Sequence, residues 1–409
     1  MKLIFFPNGW VLAHVSRMVE VAKVLREQGH EVLFAGEHKH PRSYLHTCET
    51  DGFQTVQCME FDWPYIWNRF LKYGLLLVPW DVLNHQKFAP LDGILESQVE
   101  LILREKPDMV VCDGTFTLTS AAYITGTPAA GIMNAYFTHF YRPGSLYRPI
   151  IDFWDRFHLS PIRNRVFRKY GAEPVDAKAL FWSTPIISPG LEEFDPYIEN
   201  YEHWEAVGPI WGKLPGDRPD WLETLDDGTP NIYVTFGSTG DLDRFLRGSF
   251  AAMARAPYRF VVTTGRQVTE ATKALAPANV LLADYAPGDE IIKHCRALVF
   301  HGGNGSMYQA LAAGVPMLAL PHTLEQDLNA RLCDSHGFGI RIKPRRAMGE
   351  KLLHALDRLL GDPAYADRAR YYQQRIEEAP GVHRAAEIIL EGARAGIPPH
   401  VKPVAPARK

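Results

Sequence analysis

The segment HGGNGS at residues 301–306 places three glycines within four residues, between the apolar run ALVF and a helix-forming run. Glycine is entropically costly in mid-chain, so this spacing needs a physical reason. Bare backbone amides approach a ligand closely, and a helix start adds partial positive charge, which together suit a phosphate or diphosphate. The ring of His301 and the hydroxyl of Ser306 supply further donors. A tight turn that needs glycine only for positive φ is the alternative, and the turn alone does not choose.

Three other apolar runs are followed by side chains that can bind hydroxyl groups or a flat base. Glu325 and Gln326 follow PMLAL and can read vicinal hydroxyls, because a carboxylate accepts and an amide both donates and accepts. Ser238 follows IYVTFG, and Tyr285 follows VLLAD and offers a flat ring to a base. Ligands lie beyond the carboxyl ends of parallel strands, so we expect these side chains around the glycine turn.

A catalytic pair is predicted in the first half of the chain. His14 lies in PNGWVLAHVSRM, interpreted as the loop between the first strand and its helix, and Asp113 ends the apolar run VVCD. Asp113 can accept the Nδ1–H of His14, fix its tautomer and stabilise the imidazolium, which leaves the other ring nitrogen to deprotonate an attacking hydroxyl. A structural capping role is the alternative for His14.

The elements that must position these residues form two alternating strand–helix patterns. KLIFF, a helix predicted over 16–28, HEVLFAG and DMVVCD are typical of parallel strands covered by helices. The pattern restarts at IYVTF and continues through YRFVVTT, VLLA, ALVFH and PMLAL, which predicts an α/β fold with two doubly wound, Rossmann-like domains. The predicted divisions are an N-terminal acceptor-binding domain over 1–207, a Gly-, Pro- and Asp-rich linker over 208–230, a C-terminal nucleotide-sugar-binding domain over 231–385, and a C-terminal helix with a disordered basic tail over 386–409.

Length and composition exclude several classes of function. The 409 residues suffice for two domains, and a net charge of −3 gives no general attraction to nucleic acid. Five scattered cysteines without metal-type spacing, together with the lack of a signal peptide, indicate a reduced, cytoplasmic protein. No apolar run reaches the ~18 residues of a membrane span, which leaves only peripheral membrane association open.

Five motifs together resemble family 1 glycosyltransferases, the UDP-glycosyltransferases that include bacterial macrolide and other natural-product enzymes. FGS, DYAP, HGGNGS, ALAAGVP and P…EQ…NA occur in the family's order and spacing in the second half of the chain. The resemblance implies a GT-B fold, whose two domains face each other across a cleft, and a nucleotide-diphosphate sugar as co-substrate rather than a bound cofactor. It assigns diphosphate contacts to His301, Gly303, Asn304, Gly305 and Ser306 with Ser238 nearby, the base to Tyr285 and the Ala286 backbone, and the sugar hydroxyls to Glu325 and Gln326. It also matches His14 to the family's catalytic His and Asp113 to its partner.

The chain departs from the family pattern at several positions. Ala13 and Arg17 stand where family members usually have Gly and Pro, and Tyr285 stands where plant members have Trp. Gln309 replaces the Glu that accepts from both ribose hydroxyls in plant members. Because Gln309 is a neutral partner, UDP- and dTDP-linked sugars both remain candidate donors.

Two charged patterns are attributed to helix chemistry rather than to further sites. Asp241 and Asp243 form a D-x-D pattern that holds a metal in another glycosyltransferase fold, but here it opens a helix, where Asp is favoured as a cap. We therefore expect no metal requirement. The basic run RNRVFRK at 163–169 is short and is interpreted as a solvated helix face rather than a nucleic-acid patch.

Aromatic-rich segments over residues 60–90 and 135–185 form the predicted acceptor region. An aromatic-lined cleft suits a large apolar or planar acceptor, and the same composition is equally typical of a plain core. The candidate acceptor-binding residues are Trp63, Trp67, Phe137 and Phe140.

Together these features predict an inverting, metal-independent glycosyltransferase that moves a hexose to a hydroxyl of an apolar or aromatic small-molecule or lipid-like acceptor. Two alternatives stay open: a nucleotide-sugar 2-epimerase, and a non-catalytic nucleotide-sugar-binding activator. An epimerase needs no acceptor, so product analysis without an acceptor distinguishes it from a transferase. A protein that only binds the nucleotide-sugar needs no base, so the His14–Asp113 pair argues against that alternative.

Overall fold

The structure is a computed structural model in which the chain divides into two compact units. They comprise Met1–Gly212 with Ala379–Lys409, and Lys213–Glu378. The structure describes residues 1–41, 43–60, 90–115, 117–134, 156, 160–175, 180, 184–194, 203–212, 218–237, 241–265, 267–343 and 348–396. No helix within these ranges is long and apolar enough to cross a membrane.

Parallel strands alternate with covering helices in the first unit. The strands are β1 (Lys2–Pro7), β2 (Glu31–Gly36), β3 (Gln54–Gln57), β4 (Met109–Asp113), β5 (Ala129–Ile132), β6 (Ile186–Ser188) and β7 (Trp204–Ala206). The helices are α1 (Leu12–Glu27), α2 (His46–Thr50), α3 (Pro90–Glu105), α4 (Leu118–Thr125) and α5 (Ser160–Lys169), with a 3-10 turn at Glu192–Phe194. Among the described residues the strands form one sheet in the order β3-β2-β1-β4-β5-β6-β7, and every pairing is parallel.

Burial on both faces explains why β1 is an uninterrupted apolar run. Leu3 and Phe5 pack into one core cluster with residues of α1, whereas Ile4 and Phe6 pack into another with residues of α3 and α4. Successive strand residues point to opposite faces, so a sheet covered on both sides needs apolar residues at every position.

The second unit repeats this architecture. Its strands are β8 (Asn231–Thr235), β9 (Arg259–Thr263), β10 (Val280–Ala283), β11 (Ala297–Phe300), β12 (Met317–Ala319) and β13 (Gly339–Arg341). Its helices are α6 (Leu242–Met253), α7 (Glu270–Lys273), α8 (Gly288–Ile291), α9 (Asn304–Ala312), α10 (Leu324–Ser335), α11 (Glu350–Gly361) and α12 (Pro363–Glu377), with 3-10 helices at Asp220–Asp226 and Ile292–His294. In the described part of this unit the sheet order is β10-β9-β8-β11-β12-β13, all parallel. The predicted pair of doubly wound parallel sheets is thus confirmed.

The unit boundaries differ from the predicted divisions in two places. The last helix, α13 (Gly381–Ala395), belongs to the first unit, although the predicted C-terminal domain ran to residue 385. Its apolar side chains, including Ile389, pack in the same core cluster as Leu3. The predicted linker over 208–230 also contains structured chain, because the 3-10 helix at Asp220–Asp226 buries two leucines in the second unit.

Each sheet has a switch point where the strand order reverses direction. In the first sheet the chain runs outward from β1 to β3 and then returns to place β4 on the other side of β1. In the second, the same reversal lies between β8 and β11. The carboxyl ends of such strands diverge into a crevice, which is the usual ligand site of an open parallel sheet.

Candidate active site

The predicted catalytic pair lies at the switch point of the first sheet. Pro7 of β1 is in register with Asp113 of β4, and the Asn8 amide donates to the Asp113 carbonyl oxygen at 2.8 Å. His14 Nδ1 is hydrogen-bonded to Asp113 Oδ1, so the two side chains meet as predicted. The Asp113 side chain is fully buried, whereas that of His14 is 22% exposed. The carboxylate is therefore shielded from water while the imidazole stays accessible.

His14 lies within helix α1, which corrects its predicted location in the preceding loop. Val11 is the extended N-cap residue, and the His14 amide donates to its carbonyl oxygen at 3.0 Å. Val15 is buried three residues before the buried Met18, so the apolar stripe of the helix begins one turn earlier than the sequence analysis placed it. The first helical turn, rather than a loop, therefore holds His14.

Arg17, which the sequence analysis noted only as a departure from the family pattern, is a third member of this cluster. Its Nε donates to Asp113 Oδ2 and its Nη2 donates to Asp113 Oδ1, which makes a two-pronged ion pair. The same Nη2 lies 3.2 Å from His14 Nδ1. Residues three apart share a helix face, so an Arg three positions after the candidate base was the available signal.

Asp113 is held in its ionised state by its neighbours. Burial by itself raises the pKa of the carboxyl, but the charge of Arg17, and then the interactions with His14, outweigh it and hold the pKa below its usual range. At neutral pH the carboxylate therefore accepts the Nδ1–H of His14.

The glycine turn lies at the switch point of the second sheet, between β11 and α9. Gly302 has a φ of +92°, and a Cβ there would lie 2.5 Å from the Gln326 carbonyl oxygen, so the fold itself requires glycine. Asn329 Nδ2 supports the turn by donating to the Gly302 carbonyl oxygen at 2.8 Å. Gly305 differs, because it is exposed, lies outside the left-handed region, and would place a Cβ with no atom of the described chain within 4 Å. No steric or backbone constraint in the described residues requires glycine at position 305.

His301 is buried where the turns after β8 and β11 meet. A Cβ on Gly237 would lie 2.9 Å from the His301 Cε1 atom, and one on Gly303 would lie 2.7 Å from it, so both glycines leave room for the ring. Burial, and then the charge of His322, lower the pKa of His301 to about 4, which keeps the ring neutral at physiological pH. Its Nδ1 has no hydrogen-bond partner within the described residues. Buried nitrogens without a protein partner usually contact water or a ligand, so Nδ1 is a candidate contact for a bound ligand.

Helix α9 begins with an uncapped turn. Gly303 is the N-cap residue, no side chain caps the helix, and no acidic residue lies in the first turn. Asn304, Gly305 and Ser306 form that turn, so their amides are among the donors without a partner in the helix. Free amides and the positive end of the helix dipole favour an anion at this position.

The candidate base-binding residues lie beside the start of α8. Tyr285 is 56% exposed, as an aromatic platform must be, and the adjacent Ala286 is buried. Gln309 Oε1 lies 3.5 Å from the position that a Cβ would take on Gly288, so Gln309 faces this turn from α9. The structure therefore places these predicted residues near one another.

Gln326 has a structural role that the sequence analysis missed. Its Oε1 accepts from the amides of His322 at 2.8 Å and Thr323 at 3.2 Å, and its own amide donates to Thr323 Oγ1 at 3.3 Å. This is a capping box at the start of α10, and the Thr-x-x-Gln spacing was its signal. Glu325 lies in the same first turn and remains partly exposed.

Several predictions fall outside the described residues. These are Ser238 in the donor set, and Trp63, Trp67, Phe137 and Phe140 in the acceptor set.

Both charged patterns that were attributed to helices have structural partners. Asp241 caps α6 by accepting from the Arg244 amide at 3.3 Å, and Asp243 Oδ1 accepts from the amide and the hydroxyl of Thr269, each at 3.0 Å. The basic run over 163–169 forms ion pairs with acidic side chains of α3. No group of three or more His, Cys, Asp or Glu able to hold a metal occurs among the residues described.

Comparison with known proteins gives consistent similarities. Residues 249–390 match the family described as Erythromycin biosynthesis protein CIII-like, C-terminal domain. A PGL/p-HBAD biosynthesis glycosyltransferase of Mycobacterium tuberculosis is 26% identical over 93% of this chain and 89% of its own length. A PGL/p-HBAD biosynthesis rhamnosyltransferase of Mycobacterium bovis is 24% identical, over 98% of this chain and 87% of its own length. The structure of the calicheamicin glycosyltransferase CalG4 superposes with a TM-score of 0.74 at 21% identity, covering 96% of this chain and 98% of that one.

Proposed function

We propose that this chain, which is similar to the family 1 natural-product glycosyltransferases of GT-B type, moves a hexose from a UDP- or dTDP-linked sugar to a hydroxyl of an apolar or aromatic acceptor, with inversion. Relatives named as glycosyltransferases, one of them an NDP-glycosyltransferase, support sugar transfer from a nucleotide-sugar. The donor nucleotide, the acceptor class and the catalytic base form the proposed part.

The donor's diphosphate binds at the β11–α9 turn. The uncapped amides of α9 and the unpartnered nitrogen of His301 supply donors, and the bare backbone of Gly305 leaves space for the phosphates. Hydrogen bonds to a charged acceptor contribute about 1.5–3 kcal/mol each, so three of them hold a diphosphate without a lysine. The same donors stabilise the charge that develops on the leaving diphosphate.

The hydrogen bond between His14 and the buried Asp113 is the single observation that carries the catalytic role. With Nδ1–H donated to Asp113, Nε2 is the ring nitrogen that accepts the proton of the acceptor hydroxyl. The hydroxyl oxygen attacks the anomeric carbon as the bond to the diphosphate breaks, and that electron pair leaves with the diphosphate. Attack from the face opposite the leaving group inverts the anomeric centre. General-base assistance of this kind contributes about 10²–10⁴-fold in rate.

The donor nucleotide is argued from Gln309 and from the relatives. The neutral amide of Gln309 forms weaker hydrogen bonds with ribose hydroxyls than a carboxylate does. A donor whose deoxyribose lacks one of these hydroxyls therefore loses less binding energy and remains acceptable. A rhamnosyltransferase among the relatives supports a deoxyhexose as the transferred sugar. The relatives act in PGL/p-HBAD biosynthesis, which supports a small-molecule or lipid-like acceptor rather than a macromolecular one.

Replacing the candidate base tests the mechanism. We expect His14→Ala to bind UDP or dTDP with wild-type affinity in calorimetry and to lose about 10²–10⁴-fold in acceptor-dependent nucleotide release. His383→Ala, an exposed histidine of the same unit, is the matched control and should retain full activity. Near wild-type turnover by His14→Ala would exclude this base.

Acceptor-free incubation separates the alternative functions. The protein is incubated with a panel of UDP- and dTDP-sugars, first alone and then with apolar and phenolic alcohols, and the products are identified by NMR. A 2-epimer formed without acceptor would indicate an epimerase. Donor binding without turnover across the panel would indicate a binding protein.

A further inference from the structure

Arg17 contacts both members of the His14–Asp113 pair, although such a pair can act as a general base without an arginine. Its guanidinium binds both carboxylate oxygens of Asp113, and its Nη2 lies 3.2 Å from His14 Nδ1. Arg17 is only 8% exposed and Asp113 is fully buried, so water screens these charges poorly.

Two effects on the imidazole follow from this geometry. Arg17 Nη2 and His14 Nδ1 are hydrogen-bonded to the same oxygen, Asp113 Oδ1, so the guanidinium takes up negative charge that would otherwise stabilise an imidazolium. The guanidinium also keeps its proton throughout the biological pH range, so a permanent positive charge lies beside the ring and disfavours a second one. Both effects favour neutral His14, the form that can accept a proton.

We propose that Arg17 is a positioning residue that holds Asp113 ionised and keeps His14 neutral, with its proton on Nδ1, at the pH of sugar transfer. This role presupposes the proposed function of His14 as base. Without the guanidinium, the buried His14–Asp113 pair keeps a shared proton up to higher pH, whichever of the two side chains carries it. Within the described residues, Cys112 is the other titratable neighbour on β4, and burial raises the pKa of its thiol to about 12.

The test compares pH profiles of kcat/KM for the wild type, Arg17→Met, Arg17→Lys and a control, Lys23→Met. Lys23 lies on the same helix and forms ion pairs with Glu20 at 2.9 Å and Asp51 at 3.0 Å, so the control removes one positive charge and its ion pairs away from Asp113. We expect Arg17→Met to shift the acidic limb upward by about one to two pH units, with activity recovering at high pH. Arg17→Lys retains the charge and keeps the limb near its wild-type position, and Lys23→Met leaves it unchanged. A role confined to folding would lower kcat/KM by the same factor at every pH, which would overturn the proposal.

An NMR titration of the His14 ring distinguishes this proposal from the proposed base. The His14 signal is assigned by its loss in His14→Ala and followed in wild type and Arg17→Met without substrate. A titration that does not move to higher pH in folded Arg17→Met overturns the role of Arg17, whatever the catalytic base is. An acidic limb that survives in His14→Ala overturns the base, while the effect of Arg17 on the ring stays measurable. If Arg17→Met does not fold, Arg17→Gln removes the charge, keeps a donor for Asp113, and is judged by the same criteria.

Discussion

Replacing Gly305 by Ala separates ligand binding from folding at the β11–α9 turn. A Cβ at this position would meet no atom of the described residues within 4 Å, and the backbone there suits any L-residue. Alanine favours a helix over glycine by about 0.8–1 kcal/mol in a helix interior, and less in a first turn. We therefore expect the free energy of unfolding to stay unchanged or to rise by up to about 1 kcal/mol.

The same methyl group should weaken donor binding, because it enters the exposed space beside the amides proposed to hold the diphosphate. Loss of two charge-assisted hydrogen bonds, at about 1.5 kcal/mol each, amounts to about 3 kcal/mol, or roughly 100-fold in Kd. Calorimetric titration with UDP and dTDP measures the affinity, and urea unfolding without ligand measures the stability.

Gly361→Ala is the matched control. Gly361 is the exposed last residue of α11 in the same unit, and a Cβ there would also lie more than 4 Å from every atom in the part of the chain that the structure describes. It should retain full nucleotide affinity. Wild-type affinity in Gly305→Ala would refute the reasoning, and a parallel loss of stability would show that Gly305 serves the fold instead.

Two further substitutions test the stability of each unit. Burial raises the pKa of Glu60 from an ordinary 4.5 to about 7, although the amides of Gly9 and Glu37 donate hydrogen bonds to its carboxylate. The contribution that protonated Glu60 makes to the free energy of unfolding is therefore lost as pH rises through 7. The unfolding free energy of wild type minus that of Glu60→Gln, measured in urea, should fall by up to about 3 kcal/mol from pH 4.5 to 8, and a pH-independent difference would contradict this. Asn329→Ala removes the buried hydrogen bond to the Gly302 carbonyl and should lower the free energy of unfolding by about 1–3 kcal/mol. An unchanged urea midpoint would show that this hydrogen bond does not stabilise the fold.

The central strands were predictable because they are buried on both faces and read as uninterrupted apolar runs, as β1, β4 and β11 do. The predicted end of the second domain at residue 385 was less secure, because an amphipathic helix shows that it covers a core but not which one. Helix α13 packs on the first sheet, beside Leu3 and Phe5, although its sequence follows the second unit. Which of the two sheets the helix covers depends on the path of the chain in three dimensions, and the local periodicity of the sequence contains no information about that path.

At the site, residue types predicted which groups would meet, but not how each would be used. His14 and Asp113 came together because β1 leads into the helix that carries His14 and β4 ends at Asp113, and these two strands are neighbours at the switch point. The contact of Arg17 with Asp113 was not predicted, because it depends on side chains that meet across the sheet edge. The sequence does not distinguish Gly302 from Gly305, because both are glycines of the same turn. Only the backbone geometry shows that the fold requires glycine at position 302 and not at position 305.

Crystals grown with a UDP- or dTDP-linked sugar give the most direct measurement of where the diphosphate binds. We expect phosphate oxygens within about 3.2 Å of backbone amides in the segment 303–306, with the ring of His301 against them. A well-defined diphosphate bound elsewhere on the protein, with this turn empty, would contradict the proposed donor site and the catalytic mechanism built on it.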